Sequence, residues 1–344
     1  MEIDLRYEKG VGVYLLNGVR VVLLPRGGLE FIQDYVNDII GLATKNIFED
    51  AMATIVYSFL IDLIKGRALK RHGDERMLDE ISHLFEDLGF GRMYVVSKDV
   101  DSIDVGISGN FNSVLSVIKP LKYCFAATGM IGSILRVILG KNVTVTETSC
   151  RTAGGQDADT FHADISAGDG SYNYVGSKSY TTKKEVGEKV VLIKSESGPV
   201  VNSIPVEVVP AVFFPYLFSK LREMMGGGMH DIQYGMGFSL AKMYADYDLE
   251  GVGLRHGTSG FGILPYLLGT GAINPIMNEY GGLKEIDVYD SFNALHTDTA
   301  NEKRCFFLSG LIGGLSYRLF GTQLKVVELE CSAMNNSFCK FSFQ

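Results

Sequence analysis

The sequence contains no tryptophan, only five cysteines and no uninterrupted run of about 18 apolar residues. The missing run excludes a membrane-spanning helix. The greasiest stretch, 125–139, is interrupted by Thr128, Ser133 and Arg136. Its first residues, Met1-Glu2-Ile3-Asp4-Leu5-Arg6, lack the charged-then-apolar order of a signal peptide. A cytoplasmic location is the resulting expectation. Five is an odd number of cysteines and fits poorly with a disulfide framework. Positive charge is also short, with 32 Lys+Arg against 40 Asp+Glu and a net charge of −8. That balance argues against nucleic acid as a partner, since binding it relies on basic side chains neutralising phosphates.

Enzyme signatures are missing too. There is no P-loop, no Gly-x-Ser-x-Gly with triad partners and no His-Glu-x-x-His. Gly226-Gly227-Gly228 follows a helical pattern rather than a strand, so it reads as a turn and not as a dinucleotide fingerprint. No catalytic residue is assigned, and a non-enzymatic binding protein is the expected class.

Apolar residues make up 46% and charged residues 21% of the 344, the balance of a chain that buries a core. The length suits about two domains of roughly 150 residues each.

Those two domains are copies of one another. At a constant offset of 181, Cys124-Phe125 lies over Cys305-Phe306, Gly129 over Gly310, Gly140 over Gly321, Val145 over Val326, Glu147 over Glu328 and Cys150 over Cys331. Nine of the 27 positions from 124 to 150 are identical to their counterparts, where ordinary residue usage gives about two. The same offset pairs Phe111-Asn112 with Phe292-Asn293, and Asp50 with Asp231. Each copy opens with β-like runs (12–24 and 189–209), which end at Pro25 or Pro210. Two helical patterns follow, at 29–41 and 47–65, then at 214–225 and 231–244. A third helix and a strand come next (102–108 or 285–289). A helix stopping at Gly140 or Gly321 then leads into a closing hairpin (143–165 or 324–343). Strands and helices are segregated, so the expected class is α+β, two tandem copies of a helices-on-antiparallel-sheet domain. The expected boundaries are 1–166 and 189–344, with 167–188 a polar linker read as a flexible loop or a long hairpin extension. The two copies are expected to pair within the chain as a pseudo-dimer, and further dimerisation is left open.

Three of the cysteines converge with a carboxylate in the second copy. Glu328 and Cys331 end one predicted strand with the spacing E-x2-C, Cys339 starts the return strand, and Cys305 belongs to the preceding helix. Three thiolates and a carboxylate suit tetrahedral zinc, and four protein ligands leave no open position, so such a site is structural. Buried cysteines acting as small hydrophobes are the competing reading. An unpaired Glu328 in a core strand would be costly, which favours metal. The first copy keeps Cys124, Glu147 and Cys150 but lacks a fourth cysteine. Overlaying Phe161, Ala163 and Ile165 on Cys339, Phe341 and Phe343 keeps the apolar alternation and puts Phe161 at the fourth ligand position. The first-copy site is therefore expected to be degenerate, with His162 the best replacement ligand and Asp157 or Asp159 as other candidates.

With these residues in place, the chain resembles the 4-vinyl reductase (4VR) domain family. The run Glu328-Leu329-Glu330-Cys331-Ser332-Ala333-Met334 and the upstream Gly310, Gly314 and Gly321 look like the family's closing motif. Leu15-Leu16-Asn17-Gly18-Val19-Arg20 through Pro25 looks like its opening. Most similar is the sensor domain of bacterial activators that respond to phenols, which carry a structural zinc on Cys, Glu, Cys and Cys. The resemblance implies a fold shared with vesicle-tethering adaptor subunits, a zinc cofactor and a buried pocket for a hydrophobic or aromatic small molecule. It implies His256, in Arg255-His256-Gly257, as the polar group of that pocket, with Tyr289 and Phe292 near the position of the sensors' tryptophan. His72 is the first-copy counterpart and reads as an exposed loop residue. No length remains for an ATPase or helix-turn-helix module, so any signal must pass through a protein partner. Two other functions follow from the resemblance: an accessory or enzyme acting on a tetrapyrrole vinyl group, and an assembly or trafficking scaffold. Clustered thiolates also allow a redox-sensing role.

Overall fold

A computed structural model describes residues 3–8, 11–70, 74–109, 124–150, 158–175, 188–195, 198–201, 204–245, 261, 269–279, 282–295 and 302–344. The first half runs β1 (Leu5–Glu8), β2 (Val13–Leu16), β3 (Val19–Pro25), α1 (Gly28–Ile40), α2 (Ala43–Lys65), α3 (Asp74–Asp87), β4 (Arg92–Lys98), β5 (Ser102–Ser108), α4 (Phe125–Leu139), β6 (Asn142–Ser149) and β7 (Asp159–Ser166). The second runs β8 (Glu188–Lys189), β9 (Ile193–Ser195), β10 (Gly198–Val201), β11 (Ile204–Pro210), α5 (Phe213–Met225), α6 (Met229–Ala245), β12 (Ile273–Met277), β13 (Leu283–Val288), α7 (Phe306–Phe320), β14 (Val326–Glu330) and β15 (Cys339–Phe343). The class is α+β, with helices packed on antiparallel sheets, and the two halves repeat one unit. The sheet β4-β5-β7-β6 has its counterpart in β12-β13-β15-β14. Helices α4 and α7 each have 15 residues and stop at a left-handed glycine, Gly140 (φ 64°) and Gly321 (φ 71°), as the sequence pattern predicts.

Local chemistry explains the opening unit. Asn17 and Gly18 both take positive φ, 49° and 84°, and form the two-residue turn that joins β2 to β3 with Leu16 opposite Val19. Every residue of β2 and β3 is buried, because this hairpin lies inside a seven-stranded sheet ordered β8-β1-β2-β3-β11-β10-β9. Its centre is the pairing of β3 with β11, Val22 opposite Val209 and Leu23 opposite Val208. The opening strands of each half also pack on the other half. The Val208 N–H donates to the Leu88 carbonyl at 2.9 Å, and the Gly271 N–H to the Gly12 carbonyl at 3.1 Å. Buried Arg20 reaches across to the carbonyls of Gly269 and Asp290. The two copies thus share one sheet and one continuous core.

Two sequence expectations are corrected. Helix α4 meets α2 where Gly129 faces the backbone of Glu49 and Ala53, and α7 meets α6 where Gly310 faces that of Tyr234 and Phe238. Glu49 and Tyr234 are 185 apart, as are Ala53 and Phe238. The counterpart of Asp50 is therefore Gly235 and not Asp231, because the first half has four more residues between its two helices. Second, residues 167–175 of the expected linker lie against α2 and α4. The Tyr172 ring packs edge-on to Tyr57 and under Arg136, the Tyr174 hydroxyl bonds Asp62, and the Val175 N–H donates to Ser58 Oγ at 3.0 Å. Aromatic and cationic contacts hold a segment whose polar composition reads as loose. Residues 176–187 lie outside the described residues. Among the described residues no helix is long and apolar enough to cross a membrane.

Candidate metal centre

Four donors meet where α7 begins. Cys305 is the residue before the helix and offers no side-chain cap to it. Its N–H instead donates to Glu328 Oε2 on β14, at 2.9 Å. Cys331 follows β14 directly, and the chain then turns through a single helical turn, Ser332–Met334, to Asn335 at φ 67°. The Asn336 amide closes the turn by donating to the Cys331 carbonyl at 3.1 Å. Cys339 starts β15, and its sulfur accepts from the Ser332 N–H at 3.3 Å.

The Sγ of Cys305 lies 3.8 Å from that of Cys331 and 3.3 Å from that of Cys339. A disulfide is excluded by these lengths, which far exceed the ~2.05 Å of an S–S bond. Zinc with Zn–S distances of about 2.3 Å sets thiolates about 3.8 Å apart in a tetrahedron. All four ligand atoms lie within 4.8 Å of one another, and all four residues are buried. They form a group that could hold a metal ion.

The electrostatics call for a cation. Glu328 is pushed up to about 9 by burial, reinforced by Cys331. The Cys305 thiol is raised by its hydrogen bonds to Cys331 and Cys339 and by burial. Cys339 is held down to about 4 by hydrogen bonds from Cys305 and Cys331. Without a metal the group resists carrying more than one negative charge. The second Glu328 oxygen, Oε1, is buried and meets no hydrogen-bond donor. A divalent ion would satisfy both the charge and this orphaned oxygen, so the residues fit the group.

The first half builds the same frame. The Cys124 N–H donates to Glu147 Oε2 at 2.9 Å, and the sulfurs of Cys124 and Cys150 lie 4.0 Å apart. The fourth member is Asp159, not His162. Phe161 lies opposite Val105 and Glu147, as Phe341 lies opposite Ile286 and Glu328. That register places Asp159 opposite Ile107 where Cys339 is opposite Val288. Side chains alternate across a strand, so His162 points to the other face of β7. There its Nδ1 pairs with Asp104 at 2.7 Å and its Nε2 with Asp164 at 3.3 Å. Phe161 is a core residue, and Asp157 lies outside the described residues. Glu147 is pushed up to about 7 by burial, and the charged groups acting on it, Cys150 and Asp159, are of like sign.

The expected ligand residues separate. Phe292 is fully buried in a ring cluster, 5.1 Å from Phe214 and 6.2 Å from Phe307. Tyr289 is exposed and leans on Phe338 at 5.3 Å. They do not share a cavity wall, because Tyr289 lies past the end of β13 while Phe292 turns into the core. His256 and His72 lie outside the described residues. Met229 and Met236 are core residues, as their helical spacing suggests.

A cavity that the sequence did not disclose lies in the first half, between α3, α4 and the β4–β5 edge. It holds about 380 Å³ and has Leu78, Met93, Ile103 and Leu135 on its walls, with Arg92 and Asp79 at its rim. A larger recess of about 820 Å³ opens beside the second-half cluster, between α6 and β14, with Tyr234 and Phe306 on its walls.

The vinyl-4-reductase (4VR) domain family matches residues 285–344, the span that holds all four second-half donors. Three solved structures are distantly similar. One is the phenol-responsive sensory domain of the transcription activator PoxR with phenol (17% identity, TM-score 0.39, covering 47% of this chain and 85% of that one). Another is trafficking protein particle complex subunit 3 from Naegleria fowleri, covalently bound to palmitic acid (14%, 0.31, 40% and 94%). The third is a vinyl-4-reductase family protein from Methanocaldococcus jannaschii (14%, 0.26, 39% and 89%). No curated protein matches the chain.

Proposed function

We propose that this chain, which matches the 4VR domain family at 285–344, is a zinc-stabilised protein that binds a hydrophobic or aromatic small molecule and acts as a sensor. The observation that carries the metal half of this reading is the buried set of Cys305, Glu328, Cys331 and Cys339 inside that domain. Zinc held there would supply a positive charge that fastens α7 to the β14–β15 hairpin. Four protein donors leave no place for substrate, so the centre is structural and not catalytic.

The ligand half rests on the first-half cavity. Its apolar walls with a few charged groups at the rim are the make-up of a small-molecule site. Leu135 near the end of α4 forms part of the wall, while Cys124 stands at the start of the same helix. Occupancy at one end of α4 therefore bears on a helix whose other end sits in the first-half cluster. In the second half, the equivalent pocket would take His256 as its polar group.

Phenol serves as the probe. Thermal melting in increasing phenol should show stabilisation, reaching about 2.7 kcal/mol at a hundredfold excess over Kd. Leu78→Trp, which fills the cavity from α3, should remove the effect. An unchanged melting temperature for the wild-type chain with phenol and with larger aromatic compounds would overturn the ligand reading and leave the metal reading standing.

A further inference from the structure

We propose that the first half holds a second divalent metal ion, on Cys124, Glu147, Cys150 and Asp159, in a site of two sulfurs and two oxygens. This goes beyond the second-half zinc and does not depend on the ligand reading.

Four observations lead there. The frame repeats in detail, with the same thiol before the helix, the same backbone bond to the glutamate and the same E-x2-C at the strand end. The strand register puts Asp159 in the place of Cys339, with one additional residue in the loop between Cys150 and Asp159. Asp159 is 1% exposed, so its carboxyl is an interior group as Cys339 is. The four ligand atoms lie within 4.8 Å of one another, and Glu147 Oε1 is buried with no hydrogen-bond partner. Cysteine has here been exchanged for the one other short side chain that offers an anionic donor at that distance from the strand.

The exchange changes which ions the site prefers. Soft thiolates favour zinc and other thiophilic ions, whereas carboxylates favour harder ones. A site with equal numbers of each takes a borderline ion such as zinc or cobalt and binds it less firmly than three thiolates do. The two halves therefore differ in metal retention. The second-half ion is permanent, and the first-half ion is the exchangeable one.

Cobalt(II) titration of the metal-free full chain tests this, because thiolate-to-cobalt absorption scales with the number of sulfur ligands. The wild-type chain should take two equivalents, and a competing chelator should remove them in two steps. Cys331→Ser should keep one equivalent with the weaker, two-sulfur band. Asp159→Ala should keep one with the stronger, three-sulfur band. His162→Ala should still take two. One equivalent in the wild type, removed in a single step and lost in Cys331→Ser, would overturn the second site while leaving the second-half centre intact. No uptake by the wild type would overturn both. The wild-type stoichiometry and the two-step release need no variant, so a misfolded substitution does not blunt the test.

Discussion

The backbone N–H of Cys305 donates to Glu328 Oε2 at 2.9 Å, which leaves Oε1 of the same carboxylate pointing into the thiol cluster without a donor. One side chain thus does two jobs: one oxygen finishes the start of α7 and the other faces the metal position. Glu328→Gln separates them. The amide oxygen can still accept from Cys305, but the anionic donor is gone. The variant should fold, lose most of its zinc, and melt at the temperature of chelator-treated wild type. A variant that keeps full zinc content would show that the carboxylate is not a ligand.

Zinc uptake should release protons. In the metal-free protein burial holds Glu328 up at about 9, and hydrogen bonds and burial hold the Cys305 thiol up. Both are protonated near neutral pH and must lose that proton to bind. Apparent affinity should therefore rise with pH between about 6 and 9. Calorimetry in two buffers of different ionisation enthalpy should give heats that differ by more than one proton per zinc. Identical heats would contradict this.

Glu207 ties the halves together. It is fully buried on β11, and its two oxygens accept from the N–H groups of Gly27 and Leu29 at the start of α1. Burial pushes its carboxyl up to about 8, against the lowering effect of those two hydrogen bonds. The folded state then holds more protons than the unfolded state between about 4.5 and 8. Its contribution falls as pH rises through that window and is flat above it. The upper bound is about 5 kcal/mol, from about 1.4 kcal/mol per pH unit. Urea denaturation from pH 5 to 8 should show this slope, and Glu207→Gln should flatten it.

Close helix contacts position both clusters. A Cβ on Gly310 would lie 2.0 Å from the Tyr234 carbonyl oxygen, and one on Gly129 would lie 2.3 Å from that of Glu49. Gly310→Ala must push α7 from α6, at a cost of about 1–3 kcal/mol or more. Because Cys305 sits one turn and a half before Gly310, zinc should also be released at lower chelator concentration. Gly129→Ala should destabilise comparably without touching second-half zinc retention. Chelator titrations of the two variants check the difference.

Much of this was legible in the residues. The repeat, the order of helices and strands, the α+β class and the three cysteines with Glu328 all follow from spacing and alternation. Asp159 did not, for a definite reason. A strand register shifted by two residues preserves inward and outward faces, so laying Phe161 on Cys339 or on Phe341 gives equally good apolar alternation. The missed signal was the aspartate itself, an anionic residue on an inward position of β7 beside Glu147 and Cys150. The exchange of opening strands was illegible because β3 and β11 are apolar throughout and suit any buried neighbour. The cavity was missed for a different reason. It is enclosed by α3, α4 and a sheet edge, three elements distant in sequence, and no periodicity records the space between them.

Native mass spectrometry of the full chain, wild type beside Cys331→Ser, bears most directly on the second-half centre. The wild-type chain should carry zinc, and the serine variant should carry one ion fewer and melt at a lower temperature. A wild-type chain at the mass of bare polypeptide, or a serine variant with the same metal content and melting temperature as wild type, would contradict it.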